Sequence, residues 1–131
     1  MSPFHITVRV LLVEDEPLIQ DLLQLALQDG GYEVLIAGSV EEAMPMIDSL
    51  GPELGGLVTD VNLGGPLCGW DVARRARELN PRLPVIYISG DSGFEWSSRG
   101  VPSSAMMEKP FAPAQVVVAL AALATRLDRT L

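Results

Sequence analysis

Four short apolar runs in this chain each end in side chains that carry chemistry. The run at residues 8–13 stops at Glu14-Asp15-Glu16, and the run at 57–61 reaches Asp60 and then Asn62. The run at 84–89 ends in Ser89-Gly90, and the run at 104–107 is followed by Lys109-Pro110. Carboxylates crowded together repel, and at least one pKa must rise unless a cation joins them. Magnesium is the hard cation that fits best, because it takes six oxygens at about 2.0–2.1 Å and keeps several waters. An aspartate can also act as a nucleophile and form a labile acyl phosphate. Transfer of a phosphoryl group needs its outer oxygens neutralised, and a metal, a lysine and a hydroxyl can each cover one. Asp60, Lys109 and Ser89 are of the right types for these roles.

Such residues work only if the chain brings them to one place. Apolar runs without clean alternation, at residues 8–13, 32–37, 57–61, 84–89 and 104–107, predict five strands covered on both faces. Between the first two, Ile19, Leu22, Leu23, Ala26 and Leu27 lay an apolar stripe along a helix, with Pro17 at its entry and Gly30-Gly31 at its exit. A second helix opens with Ser39 and Glu42 in capping-box spacing, and Pro45 within it predicts an irregularity. A third is expected over about 70–79, with Val72, Ala73, Ala76 and Leu79 inward and Arg74, Arg75, Arg77 and Glu78 outward, ending at Asn80-Pro81. The Ser/Gly-rich stretch 91–102 predicts at most a short, poorly held helix, and a last helix is clear over 113–127. Alternating strands and helices imply an α/β three-layer sandwich with a parallel sheet. Ligands of such sheets bind at the carboxyl ends of the strands, which is where the polar set falls.

Composition narrows the function classes. A length of 131 residues suits one domain, expected to form its core over about 8–128 with no output domain attached. With 17 acidic against 9 basic residues, the net charge of −8 argues against nucleic acid as a partner. The one cysteine, Cys68, permits no internal disulfide and is expected to be a small, partly buried residue. The first thirteen residues are too weakly basic for a signal peptide, and the apolar run 116–124 falls short of the ~20 residues that span a bilayer. A soluble, cytoplasmic protein is expected. His5 is expected to be a surface residue near the terminus, Trp70 and Trp96 packing residues, and Thr59 a side chain within the sheet. Glu16 is open between a helix cap beside Pro17 and a member of the acidic cluster.

The segments Val10-Leu-Leu-Val-Glu14-Asp15-Glu16, Leu57-Val-Thr-Asp60, Val85-Ile-Tyr-Ile-Ser89-Gly90 and Lys109-Pro110-Phe111 resemble the receiver domain of response regulators. Each motif alone is weakly specific, but four in order at four strand ends form a specific match over nearly the whole chain. The resemblance implies a flavodoxin-like fold with strand order 2-1-3-4-5. It implies Glu14 and Asp15 as the metal-binding acidic pair and Asp60 as both phosphoacceptor and metal ligand. Asn62 would contribute its backbone carbonyl, Ser89 the hydroxyl that contacts the phosphoryl group, and Lys109 the lysine paired with it. Mg²⁺ is the implied cofactor, and the Lys109-Pro110 bond is expected to be cis. A histidine kinase or histidine phosphotransfer protein would supply the phosphoryl group, and a downstream target protein would read it. The implied role is that of a signalling acceptor, with no turnover of an outside substrate.

Two positions depart from the family pattern. Met106 stands where Tyr or Phe is usual, and it fills irregular space without offering a phenol hydroxyl. The loop from Asp60 to Gly69 is one residue longer than usual, its Gly64-Gly65-Pro66 permitting positive φ. Met106 is also the support for an alternative, a degenerate receiver acting as a phosphorylation-independent interaction module. A flavin carrier would need a phosphate-binding loop where Glu14-Asp15-Glu16 stands. An aspartate-based phosphohydrolase would need a second carboxylate where Asn62 stands. The unbroken apolar run in the last helix predicts a surface for a partner or for a homodimer.

Overall fold

A computed structural model describes residues 7–129 of the chain, so the expectation for His5 falls outside the described residues. Five parallel strands, β1 (Arg9–Val13), β2 (Glu33–Ala37), β3 (Gly56–Asp60), β4 (Val85–Ser89) and β5 (Ala105–Glu108), form one sheet. Their order is β2-β1-β3-β4-β5, as the sequence motifs implied. Helices α1 (Pro17–Asp29), α2 (Val40–Leu50), α3 (Gly69–Leu79), α4 (Trp96–Arg99) and α5 (Pro113–Arg129) alternate with the strands. Every strand lies within one or two residues of its expected place.

The central strands β3 and β4 are buried at every position, which is why they read as continuous apolar runs rather than as alternating ones. Their side chains alternate between two cores. Leu11, Val13, Leu57, Val85 and Tyr87 pack with Ile47, Trp70, Val72 and Ala76 from α2 and α3. Val10, Leu12, Val58, Ile86 and Ile88 pack with Leu23 and Leu27 of α1 and with Val116, Leu120 and Leu123 of α5.

Local chemistry explains most helix ends. Pro17 opens α1, and the Ser39 side chain accepts from the Glu42 N–H to cap α2. At α3, Cys68 takes the cap position and its backbone N–H donates to the Asp71 carboxylate at 2.9 Å. Gly69 begins α3 pressed against β3, where a Cβ would lie 2.1 Å from the Asp60 carbonyl oxygen and 2.9 Å from the Val61 Cα. Both obstacles are backbone, so only glycine lets α3 start so close to the end of β3.

Three expectations are corrected by packing. Pro45 lies inside α2, yet the helix is unbroken from Val40 to Leu50. Burial of Val40, Ala43 and Ile47 offsets the about 3 kcal/mol that an interior proline costs. Arg77 does not face outward. Its guanidinium is half-buried and donates to the carbonyls of Leu83, Pro102 and Ser103, tying α3 to the loop before β5. The α1 stripe is narrower than its periodicity suggested, with Leu23 and Leu27 buried but Leu22 45% exposed.

The stretch after β4 matches its expected weakness, forming one short 3-10 turn over Gly93–Glu95 and the single turn of α4. In the loop before α3, Gly64 adopts a φ of +79°, the conformation the added glycine was expected to allow. No helix among the described residues is long and apolar enough to cross a membrane.

Candidate functional site

Strand register decides which side chains meet. Val13 of β1 is paired with Thr59 of β3, so the next residues along, Glu14 and Asp60, come level at the carboxyl edge. Ser89 of β4 is paired with Glu108 of β5, which leaves Lys109 one residue beyond. The Lys109 N–H donates to the Ser89 carbonyl at 2.9 Å, and the following Lys109-Pro110 bond is cis, as expected.

Asp60 is 4% exposed, and both of its carboxylate oxygens are held. Oδ1 accepts the Asn62 N–H at 3.1 Å, and Oδ2 accepts from Lys109 Nζ at 3.0 Å. Thr59 is buried within the sheet, and its hydroxyl donates to the Asp60 carbonyl at 2.9 Å. Asn62 turns its side chain into the loop, where Oδ1 accepts the Gly64 N–H at 3.3 Å. The Asn62 side chain is therefore engaged away from the acidic cluster.

Glu14 is fully buried and almost wholly engaged. Its N–H donates to the Ala37 carbonyl at 3.0 Å, its Oε2 accepts the Glu16 N–H at 3.1 Å, and its carbonyl accepts from Gln20 Nε2 at 2.6 Å. Oε1 alone makes no hydrogen bond and lies 3.9 Å from Lys109 Nζ. One carboxylate oxygen from each of Glu14, Asp15 and Asp60 lies within 4.8 Å of the others. Glu16 is N-terminal to α1 but makes no capping bond through its side chain. Its carboxylate instead lies 3.9 Å from Lys109, as an exposed fourth acid on the rim.

The electrostatics follow from this crowding. Burial, reinforced by the Asp60 charge and by Asp15, pushes the Glu14 carboxyl up to about 7, against the opposing pull of the Glu16 N–H and Lys109. Partial burial works against the charge on Lys109, but its hydrogen bond to Asp60 and the charges of Asp60, Glu14 and Glu16 prevail and raise its pKa. One ammonium thus faces three carboxylates, those of Asp60, Glu14 and Glu16. A buried, unbonded carboxylate oxygen beside two more carboxylates is a donor set that suits a hard, oxygen-seeking divalent cation.

Ser89 completes the edge. Its Oγ accepts the N–H groups of Asp91 at 3.2 Å and Ser92 at 2.6 Å, so the hydroxyl proton is left to donate elsewhere. On the adjacent strand β5, the partly buried Met106 packs against the core on the face it shares with its register partner Tyr87. The Tyr87 hydroxyl accepts the Val101 N–H at 3.0 Å, while Ser104 holds the Val101 carbonyl and accepts from Trp96 Nε1 at 2.9 Å. The aromatic ring absent from β5 thus has a counterpart directly across on β4, and Tyr87 packs against the buried Trp70 with ring centroids 4.6 Å apart and planes tilted by 55°.

All six residues singled out from sequence, Glu14, Asp15, Asp60, Asn62, Ser89 and Lys109, stand at this one edge. Gln20 was not foreseen, because an amide beside the apolar stripe of α1 looks like any solvated helix residue. Beside the acids lies an apolar cleft of about 440 Å³, lined by Ile19, Leu22, Leu23, Lys109, Pro110 and Phe111.

Comparison with known proteins agrees with this geometry. Residues 10–121 match the response regulator receiver domain family. The chain is 33% identical over 121 residues to the transcriptional regulatory protein TrcR of Mycobacterium tuberculosis, covering 91% of this chain and 46% of that protein. It is 31% identical over 121 residues to the phosphate regulon transcriptional regulatory protein PhoB of Pseudomonas aeruginosa, covering 89% of this chain and 52% of that one. The chain thus spans about half the length of these relatives. A crystal structure of a response regulator receiver protein from Sinorhizobium medicae superposes with a TM-score of 0.88 at 40% identity, covering 92% of this chain and 97% of that one. With motifs, strand order and site geometry in agreement, the chain belongs to the receiver domain family of response regulators.

Proposed function

We propose that Asp60 is the phosphoacceptor of this receiver, and that Glu14, Asp15, Asp60 and the Asn62 backbone carbonyl hold Mg²⁺ beside it. The observation that carries this reading is the meeting of Asp60 with a lysine 3.0 Å away and with the unbonded, buried Oε1 of Glu14. Bound Mg²⁺ would neutralise the carboxylates and the outer phosphoryl oxygens. A carboxylate oxygen of Asp60 attacks phosphorus as the bond to the donor's imidazole nitrogen breaks, and that nitrogen leaves with the electron pair. Lys109 then has a phosphoryl oxygen to pair with in place of the free carboxylate. Ser89, with its acceptor positions already filled by two N–H groups, donates its proton to another. The donor is a phosphohistidine of a histidine kinase or phosphotransfer protein, and a downstream protein reads the result by contact. Incubation with acetyl phosphate and Mg²⁺ should add one phosphoryl mass to the wild type and none to Asp60→Asn. No mass gain with any small phosphodonor would rule the assignment out.

The buried acid makes a second measurement informative. A carboxyl whose folded pKa stands near 7 against an ordinary 4.5 favours folding while it is protonated, and that advantage disappears as pH rises through the folded value. Between pH 4.5 and about 7, in chelator, the metal-free domain should lose stability on the order of 3 kcal/mol from Glu14 alone. Urea unfolding across that window should show the decline in wild type and a flatter profile in Glu14→Gln, and parallel profiles would contradict the assignment.

The last helix supports a proposal about association. Val118 is 70% exposed on α5, and it lines an apolar surface cleft with Met107, Ala114 and Ala119. A homodimer through this face is proposed, and light scattering across concentrations, with and without phosphorylation, should detect it. A monomer under all these conditions would exclude it.

A further inference from the structure

We propose that Gln20 is a positioning residue that sets the aim of the acidic pair, a role that rests on the metal-binding reading of Glu14 and Asp15. The peptide group joining Glu14 to Asp15 is one rigid plane, so its orientation governs the backbone angles on either side and the directions in which both carboxylates leave the chain. The carbonyl of that peptide accepts from Gln20 Nε2 at 2.6 Å, a bond that closes the turn between β1 and α1 from the helix side.

Gln20 is also where that turn is otherwise weakly held. The N-cap residue Glu16 makes no side-chain capping bond, and its N–H is held within the turn by Glu14 Oε2. The backbone also ties Gln20 to the turn, since its N–H donates to the Glu16 carbonyl at 2.9 Å. Main chain and side chain of one residue thus grip both ends of the Glu14–Glu16 segment. With the Glu14 N–H on Ala37 and its Oε2 on the Glu16 N–H, Gln20 supplies the bond that remains for the backbone carbonyl. Locked in this way, Glu14 presents Oε1 to the cluster without rearrangement. A side chain that orients ligands from behind tunes a metal site without touching the metal.

The experiment is a titration of MgCl₂ into the full chain, comparing wild type with Gln20→Met, which keeps the length of the side chain but cannot donate, and with Gln20→Ala, which preserves helix propensity. Gln28→Met, on the exposed side of the same helix, serves as the control. Both Gln20 variants should bind Mg²⁺ about 10-fold more weakly or worse, while Gln28→Met binds as wild type does. Thermal unfolding in chelator should lower the midpoints of the two Gln20 variants only by the few degrees that one part-buried hydrogen bond is worth, and leave Gln28→Met at the wild-type midpoint. In free energy that loss is smaller than the loss of Mg²⁺ affinity. Wild-type affinity in Gln20→Met and Gln20→Ala would overturn the role of Gln20 and leave the metal reading standing. Equal losses of affinity and of metal-free stability would also overturn it, since a merely structural bond would produce that pattern. No Mg²⁺ binding by the wild type would overturn the metal reading and the role of Gln20 with it.

Discussion

Four carboxylates and one ammonium at a single sheet edge form the constraint on which everything else depends. Glu14 and Asp60 are brought level by the pairing of Val13 with Thr59, and neither can move away because each ends a strand buried within the sheet. The repulsion is therefore built in. Lys109 relieves part of it at Asp60, but its ammonium makes one direct hydrogen bond there and reaches Glu14 and Glu16 only at 3.9 Å. A divalent cation or a proton would supply the remainder, and the Glu14 pKa is raised toward the protonated form first by burial and then by the Asp60 charge.

A rigid frame lets such an arrangement persist. The sheet holds the charged ends between two apolar cores, so the energy that closes the cores also holds the acids together. Gly69 lets α3 begin against the Asp60 carbonyl, and the Thr59 hydroxyl donates to that same carbonyl, so the backbone of Asp60 is fixed from two sides. The least regular part of the β4-to-β5 connection is the stretch from Gly90 to Gly100, with its single-turn α4. Its start is tied by the Ser89 hydroxyl and its end by the Tyr87 hydroxyl. Ser89 and Tyr87 lie on one strand, so β4 holds both ends of this stretch.

The strands and the six edge residues were readable because they rest on strong, local signals: apolar runs of fixed length, and polar residues where those runs stop. The features that were not readable are those in which tertiary contact overrides a local rule. Pro45 breaks isolated helices but not one whose neighbours are buried. Arg77 follows the polar pattern of α3, yet three backbone carbonyls from the next turns draw it in. Leu22 belongs to the apolar stripe by spacing and ends up beside an open cleft, since Phe111 and Pro110 do not close over it. Gln20 and Tyr87 show the same difficulty, because an amide on a helix and an aromatic in a strand acquire meaning only when their partners are known.

The most direct measurement is the binding of divalent cations by calorimetry, near pH 8, where Glu14 is ionised. Carboxylates that converge on one cation should give a single saturable Mg²⁺ site in the wild type, severely weakened in both Asp15→Asn and Asp60→Asn. Absence of heat with Mg²⁺ and Mn²⁺ alike, or undiminished binding in the two variants, would contradict a shared cation at this edge.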